Sequence, residues 1–185
     1  MVRLLLFILL APLLSDVRAQ GTDTTVVHTL FLLGDGGEPH LKDSPMGKVV
    51  REKISRAGGN STVLFLGDNI YPGGMPESDS RAFSLAEVSL QTQVSMVTGL
   101  DTRAIFIPGN HDWQHWGKKG LRYLRNQQQW LDSLKDENIS LLPRDGCPGP
   151  VQIPLNEETI LLILDTQWFL HQWDKPRDAE LCGAT

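Results

Sequence analysis

The chain has 185 residues, 41% hydrophobic and 21% charged, enough apolar material for one folded domain and too much for wholesale disorder. Lys+Arg total 17 against 22 Asp+Glu, a formal net charge of −5, so the broad basic footprint of a nucleic-acid binder is missing and no such partner is expected. Two cysteines exclude a disulfide-dense scaffold and a zinc site built from four cysteines.

Residues 1–19 read as a secretory signal peptide. Met1-Val2-Arg3 is a short positive start, an apolar run follows from Leu4 to Leu14 broken only by Pro12, and Val17-Arg18-Ala19 supplies a cleavage pattern. The run is too short to span a bilayer, so an exported product (periplasmic, extracellular or secretory) with no membrane span after cleavage is expected. Export would put Cys147 and Cys182 in an oxidising compartment, where pairing is favoured over two unrelated thiols.

Residues 20–185 alternate short apolar runs with helical patterns. Residues 26–33 predict a strand ending at Gly34-Asp35-Gly36-Gly37, and 44–57 a helix stopped by Gly58-Gly59-Asn60. Residues 62–66 predict a strand ending at Gly67-Asp68-Asn69, and 80–97 a helix closed by Gly99. Residues 103–107 predict a third strand, followed by Pro108-Gly109-Asn110-His111-Asp112 and a helix over 117–134. Residues 151–155 and 159–164 predict two further strands paired through Asn156-Glu157-Glu158. Such alternation implies an α/β fold with a largely parallel inner sheet.

Each of the first three strands ends in glycine followed at once by Asp35, Asp68 or Asn110. Functional groups in open α/β sheets gather beyond the carboxyl ends of the strands, so these residues are expected close together. Singly, each reads as turn or cap chemistry. Together, two carboxylates and an amide oxygen suit hard or borderline divalent ions, and His111 adds an imidazole at the same end. A carboxylate bridging two ions would support metal-activated attack of water on a phosphate ester. A covalent-nucleophile phosphatase fits less well, because no second aspartate follows Asp35 at the Asp-x-Asp spacing and no Gly-x-Ser-x-Gly turn exists.

The three segments resemble the first three motifs of the calcineurin-like metallophosphoesterases, most closely the purple acid phosphatase branch, over most of residues 26–175. Most of that superfamily has Asp-x-His in the first motif, where this chain has Asp35-Gly36-Gly37; the purple branch instead has a tyrosine three residues after the bridging aspartate, and Tyr71 stands there. Tyr71-Pro72-Gly73-Gly74-Met75-Pro76 and Asp165-Thr166-Gln167-Trp168 are similar to segments of secreted bacterial members. The resemblance implies the N-terminal part of a four-layer α/β/β/α sandwich with mixed sheets. It implies two divalent or mixed-valence ions of iron, zinc or manganese, and a phosphate ester substrate. Asp35 and Tyr71 would bind the first ion, Asp68 both, and Asn110 the second; His111 would face the substrate as the catalytic residue. Asp112 would orient His111 or cap the next segment.

The family pattern also needs histidines downstream, ending in Gly-His-x-His. This chain has only His28, His40, His111, His115 and His171, so it is expected to be the N-terminal portion of a longer phosphoesterase. His115 and His171 follow no suitable strand end. A chain with half the ligand set would alternatively be a non-catalytic binding module or an inactive truncated product.

Lys118, Arg122 and Arg125 are expected on one face of the 117–134 helix, as a solvated surface before a substrate funnel. Trp113 and Trp116 fit a pocket wall and a core about equally, and Glu38 and His40 lie near the first motif. Asn60-Ser61-Thr62 and Asn138-Ile139-Ser140 match glycosylation acceptors.

Overall fold

The computed structural model describes residues 25–38, 44–177 and 182–183. The signal-peptide reading of residues 1–19 and the position of His40 lie outside them. The first five elements are β1 (Thr29–Leu33), α1 (Pro45–Ala57), β2 (Ser61–Phe65), α2 (Phe83–Ser95) and β3 (Arg103–Phe106). They are followed by α3 (Gly120–Ser133), β4 (Ile139–Leu141), β5 (Val151–Pro154), β6 (Ile160–Ile163) and α4 (Thr166–Leu170).

Strands β1 to β4 form one parallel sheet in sequence order. Right-handed crossovers that always advance in one direction set every connecting helix on the same face. The core bears this out: Ile54 of α1, Leu90 and Val94 of α2, and Leu124 and Leu131 of α3 pack with Val63, Phe65, Ala104 and Phe106. On the other face Leu64 and Ile105 meet Ile153 and Ile163 of the antiparallel β5–β6 hairpin. The described residues thus stack a helix layer, a parallel sheet and a two-stranded second sheet. Among them, no helix is long and apolar enough to cross a membrane.

Local chemistry explains the boundaries. Ser44 caps α1 by accepting the N–H of Met46, Pro45 occupies the first turn, and Gly58 closes the helix at φ 66°. Helix α2 carries buried Ser89, Thr92 and Gln93 among its apolar residues, and two of these reach the loops that follow β1 and β2.

Two elements were not foreseen and one expectation needs correction. Strand β4 was not foreseen, because three residues are too few to show a period. Helix α4 is five residues long and is defined by its cap, the Asp165 carboxylate accepting the N–H of Trp168. Helix α3 begins at Gly120, so Lys118 and Lys119 precede it; Lys118 sits over the Trp173 ring and Arg122 pairs with Glu77.

Cys147 and Cys182 are joined in a disulfide across 35 residues of sequence. Closing a loop of that length restricts the unfolded chain by about 3–4 kcal/mol. Reduction is therefore expected to lower the melting temperature by roughly 10 °C or more. Thermal unfolding with and without a thiol reductant checks this, and coincident curves would show that the bridge adds no stability.

Candidate metal centre

The loops after β1, β2 and β3 converge on one another. The Gly37 N–H donates to the Asp68 carbonyl at 2.9 Å, and the Gly37 carbonyl accepts the Tyr71 N–H at 3.2 Å and the Ser89 hydroxyl at 2.8 Å. Gln93 donates its amide to the Asn69 carbonyl at 2.8 Å, so α2 braces both loops. Asp35 and Asp68 adopt left-handed backbone, at φ 54° and 53°. Such a conformation is uncommon outside glycine, and aspartate is among the residues that tolerate it best.

The side chains meet where the loops do. The Tyr71 hydroxyl donates to Asp35 Oδ1 at 2.8 Å and lies 3.1 Å from Asp68 Oδ2. The other Asp68 oxygen accepts the backbone N–H of His111 at 3.0 Å. Tyr71, Asp35 and Asp68 thus form one oxygen cluster with the Asp68 carboxylate held at both ends. Burial raises the Tyr71 phenol above its ordinary pKa, reinforced by the Asp35 hydrogen bond and the Asp68 charge. A cation among the three oxygens would reverse that direction by stabilising the phenolate.

His111 Nδ1 lies 2.6 Å from the Pro72 carbonyl. A carbonyl only accepts, so Nδ1 carries the hydrogen and Nε2 is the free ring atom, 4.0 Å from Asp68 Oδ2. The His111 ring lies 4.3 Å from the Tyr71 ring and 4.6 Å from that of His115, centroid to centroid. The Asn110 amide nitrogen is 3.1 Å from His115 Nδ1, which leaves the amide oxygen for another partner.

Asp112 does neither of the jobs expected of it. Fully buried, it accepts the N–H groups of Asn69 and Gly109 and the Asn69 amide, clamping the second loop to the third. Burial pushes its carboxyl up to about 7, against the opposing effect of those N–H groups.

A family model described as calcineurin-like phosphoesterase matches residues 19–178. The chain belongs to the calcineurin-like phosphoesterase family. This is a family of metal-dependent phosphoester hydrolases, and membership does not favour the reading as a mere binding module. No curated protein and no solved structure matches the chain.

The donor set suits the metal that a calcineurin-like phosphoesterase requires. Two carboxylates and a phenol within hydrogen-bond distance of one another make a hard, oxygen-rich set, and a lone-pair-bearing amide oxygen stands in the next loop. Among the described residues, no group of three or more His, Cys, Asp or Glu gathers as a metal cluster.

The structure therefore brings together Asp35, Asp68, Tyr71, Asn110 and His111. It adds His115, which had no strand-end signal of its own. Gln114, His115 and Trp116 all have positive φ, at 60°, 45° and 75°, and this left-handed turn swings His115 back onto Asn110. The turn is tied by the His115 N–H to the Asn110 carbonyl and by the Gln114 side chain accepting the N–H of Lys119. His171 lies elsewhere, buried against the Trp113 ring.

Trp113 belongs to the core, whereas Trp116 is exposed. The Trp113 indole donates to Asp165 Oδ2 at 2.8 Å, tying the metal-centre loop to the cap of α4. Burial raises the Asp165 carboxyl to about 6, against hydrogen bonds from Trp113, Trp168 and Gln167. The unfolded chain releases this proton near pH 4, the native chain near pH 6. Folding therefore takes up a proton between those values, and stability from this source is full below about pH 4 and lost as the pH climbs through about 6. The loss is on the order of 2–3 kcal/mol, and Asp165→Asn should flatten it. Denaturant midpoints across that range for both proteins check it; equal slopes would overturn it.

Proposed function

We propose that the chain hydrolyses phosphate esters at a dinuclear metal centre of the purple acid phosphatase type. The observation that carries this is the Tyr71 hydroxyl set between Asp35 and Asp68, three oxygens from two strand ends converging on one point. Asp35 and Tyr71 would hold the first ion, Asp68 both, and Asn110 the second through its amide oxygen. The ions, of iron, zinc or manganese, would supply the charge that activates water and offsets the phosphate.

The chain's own residues do the rest. Asp68 is fixed by the His111 N–H at one oxygen, so its other oxygen keeps its aim. The Pro72 carbonyl fixes the His111 ring through Nδ1, leaving Nε2 to hold a proton for the departing alcohol oxygen. Water oxygen bonds to phosphorus, the phosphorus–alkoxy bond breaks, and that proton neutralises the alkoxide. His115 steadies the amide of Asn110.

An exported setting is part of this reading, supported by the leader-like pattern of residues 1–19 and by the Cys147–Cys182 bridge.

The test is turnover of an aryl phosphate by purified chain. It should depend on added divalent metal, stop with a chelator, and fall by roughly 10²-fold in His111→Ala, the usual scale of a lost general acid. Turnover that ignores metal, or that His111→Ala leaves intact, would refute it.

A further inference from the structure

A cavity of about 540 Å³ opens beside the metal centre. Tyr71 and Pro72 belong to both, since the Tyr71 hydroxyl lies in the oxygen cluster and the Pro72 carbonyl holds the catalytic imidazole. Beyond them the wall is mostly apolar, with Pro76, Ala82, Leu85 and the Tyr123 ring, and Ser80 and Gln114 add neutral polar groups. Leu85, on α2, is 58% exposed, a large apolar side chain with little protein over it. Glu38 is the one charged side chain on the wall among the described residues. Among the described residues no cationic side chain lines the cavity, and the basic residues of the 118–125 region line a different recess.

These features select a ligand. The volume falls within the range of small-molecule sites, and such sites owe most of their affinity to apolar walls with a few placed polar groups. A second phosphate, as in a nucleotide diphosphate, would find no cationic side chain among the described residues of the wall to offset it. We propose that this cavity receives the alcohol portion of the phosphate ester, and that the preferred alcohol is uncharged and aromatic. The phosphate would lie at the oxygen cluster, with the ring against Tyr123 and Leu85. This rests on the phosphoesterase reading above and adds the substrate class to it.

The experiment has two arms. In the first, kcat/KM is measured on metal-loaded chain for 1-naphthyl phosphate, adenosine diphosphate and acetyl phosphate, whose leaving group is too small to fill the cavity. Naphthyl phosphate is expected to exceed the nucleotide by at least about tenfold. Leu85→Lys, a change at an exposed position, should cut the ratio of naphthyl to acetyl phosphate by about tenfold, and Tyr123→Ala should do likewise. In the second arm, metal-free chain is titrated with 1-naphthol and followed by amide NMR shifts. Shifts centred on Gly73, Gly74, Leu85 and Tyr123 are expected. Equal kcat/KM for the naphthyl and nucleotide esters, ratios unmoved by both variants, or naphthol shifts absent or centred elsewhere would each overturn the proposal. Absence of turnover on every ester would sink the phosphoesterase reading instead, and the naphthol titration would still decide the cavity.

Discussion

Asp68→Asn is expected to lower phosphoesterase kcat/KM by roughly 10³-fold or more, while the protein keeps its fold. Asp68 Oδ1 accepts the His111 N–H at 3.0 Å and Oδ2 lies 3.1 Å from the Tyr71 hydroxyl. Asparagine has the same shape. Its oxygen can keep the bond from His111, and its amide nitrogen can donate to the Tyr71 oxygen, so neither partner is stranded. What disappears is the negative charge and one anionic oxygen at the point where both ions would be held. Metal affinity should therefore drop by about 10²-fold or more, together with turnover. Calorimetric titration with manganese or zinc reads the affinity, aryl phosphate hydrolysis reads the rate, and the melting curve of metal-free protein reads the fold. Native metal affinity in the variant would remove Asp68 from the centre. A collapsed melting curve would mean that its contribution is structural.

The residues of this candidate site whose proximity could be read from sequence share a physical origin. Strands β1, β2 and β3 are short apolar runs ended by glycine, and a parallel α/β sheet places such ends side by side. Asp35, Asp68 and Asn110 were legible for that reason, and Tyr71 was legible only through the resemblance of its segment. His115 was not, because its position depends on three consecutive left-handed residues, none of them glycine. Asp112 was misjudged for a related cause. It adjoins His111 in sequence, yet its partners are Asn69 and Gly109. A buried carboxylate that ties two loops together leaves no periodic trace. The link from Trp113 to Asp165 joins residues 52 apart in sequence, beyond any local pattern. The polar residues of α2 were part of a correctly expected helix. Their purpose appears only when Ser89 and Gln93 are seen bonded to the carbonyls of Gly37 and Asn69.

Gly37→Ala is expected to destabilise the protein by at least about 3 kcal/mol and to disperse the oxygen cluster. A Cβ at position 37 would stand 2.5 Å from Asn69 C, Asp68 O and Ile70 N. All three are backbone atoms, so no flexible side chain can move aside. The loops must separate, and the bonds from Gly37 N–H to Asp68 O and from Tyr71 N–H and Ser89 Oγ to Gly37 O break with them. Gly34 provides the control. A Cβ there meets nothing within 4 Å, and Gly34→Ala should change stability by no more than about 0.5 kcal/mol. Urea midpoints of the two variants decide the matter, and equal midpoints would show that the loops separate at no cost. No side chain fits at residue 37, because the loop carrying Tyr71 packs directly against it. That loop in turn delivers the Tyr71 oxygen to within 2.8 Å of Asp35. Glycine at 37 thus keeps the backbone of the Tyr71 loop within hydrogen-bond distance of the first loop. A larger side chain could not be placed at 37 without moving the loop that carries Tyr71.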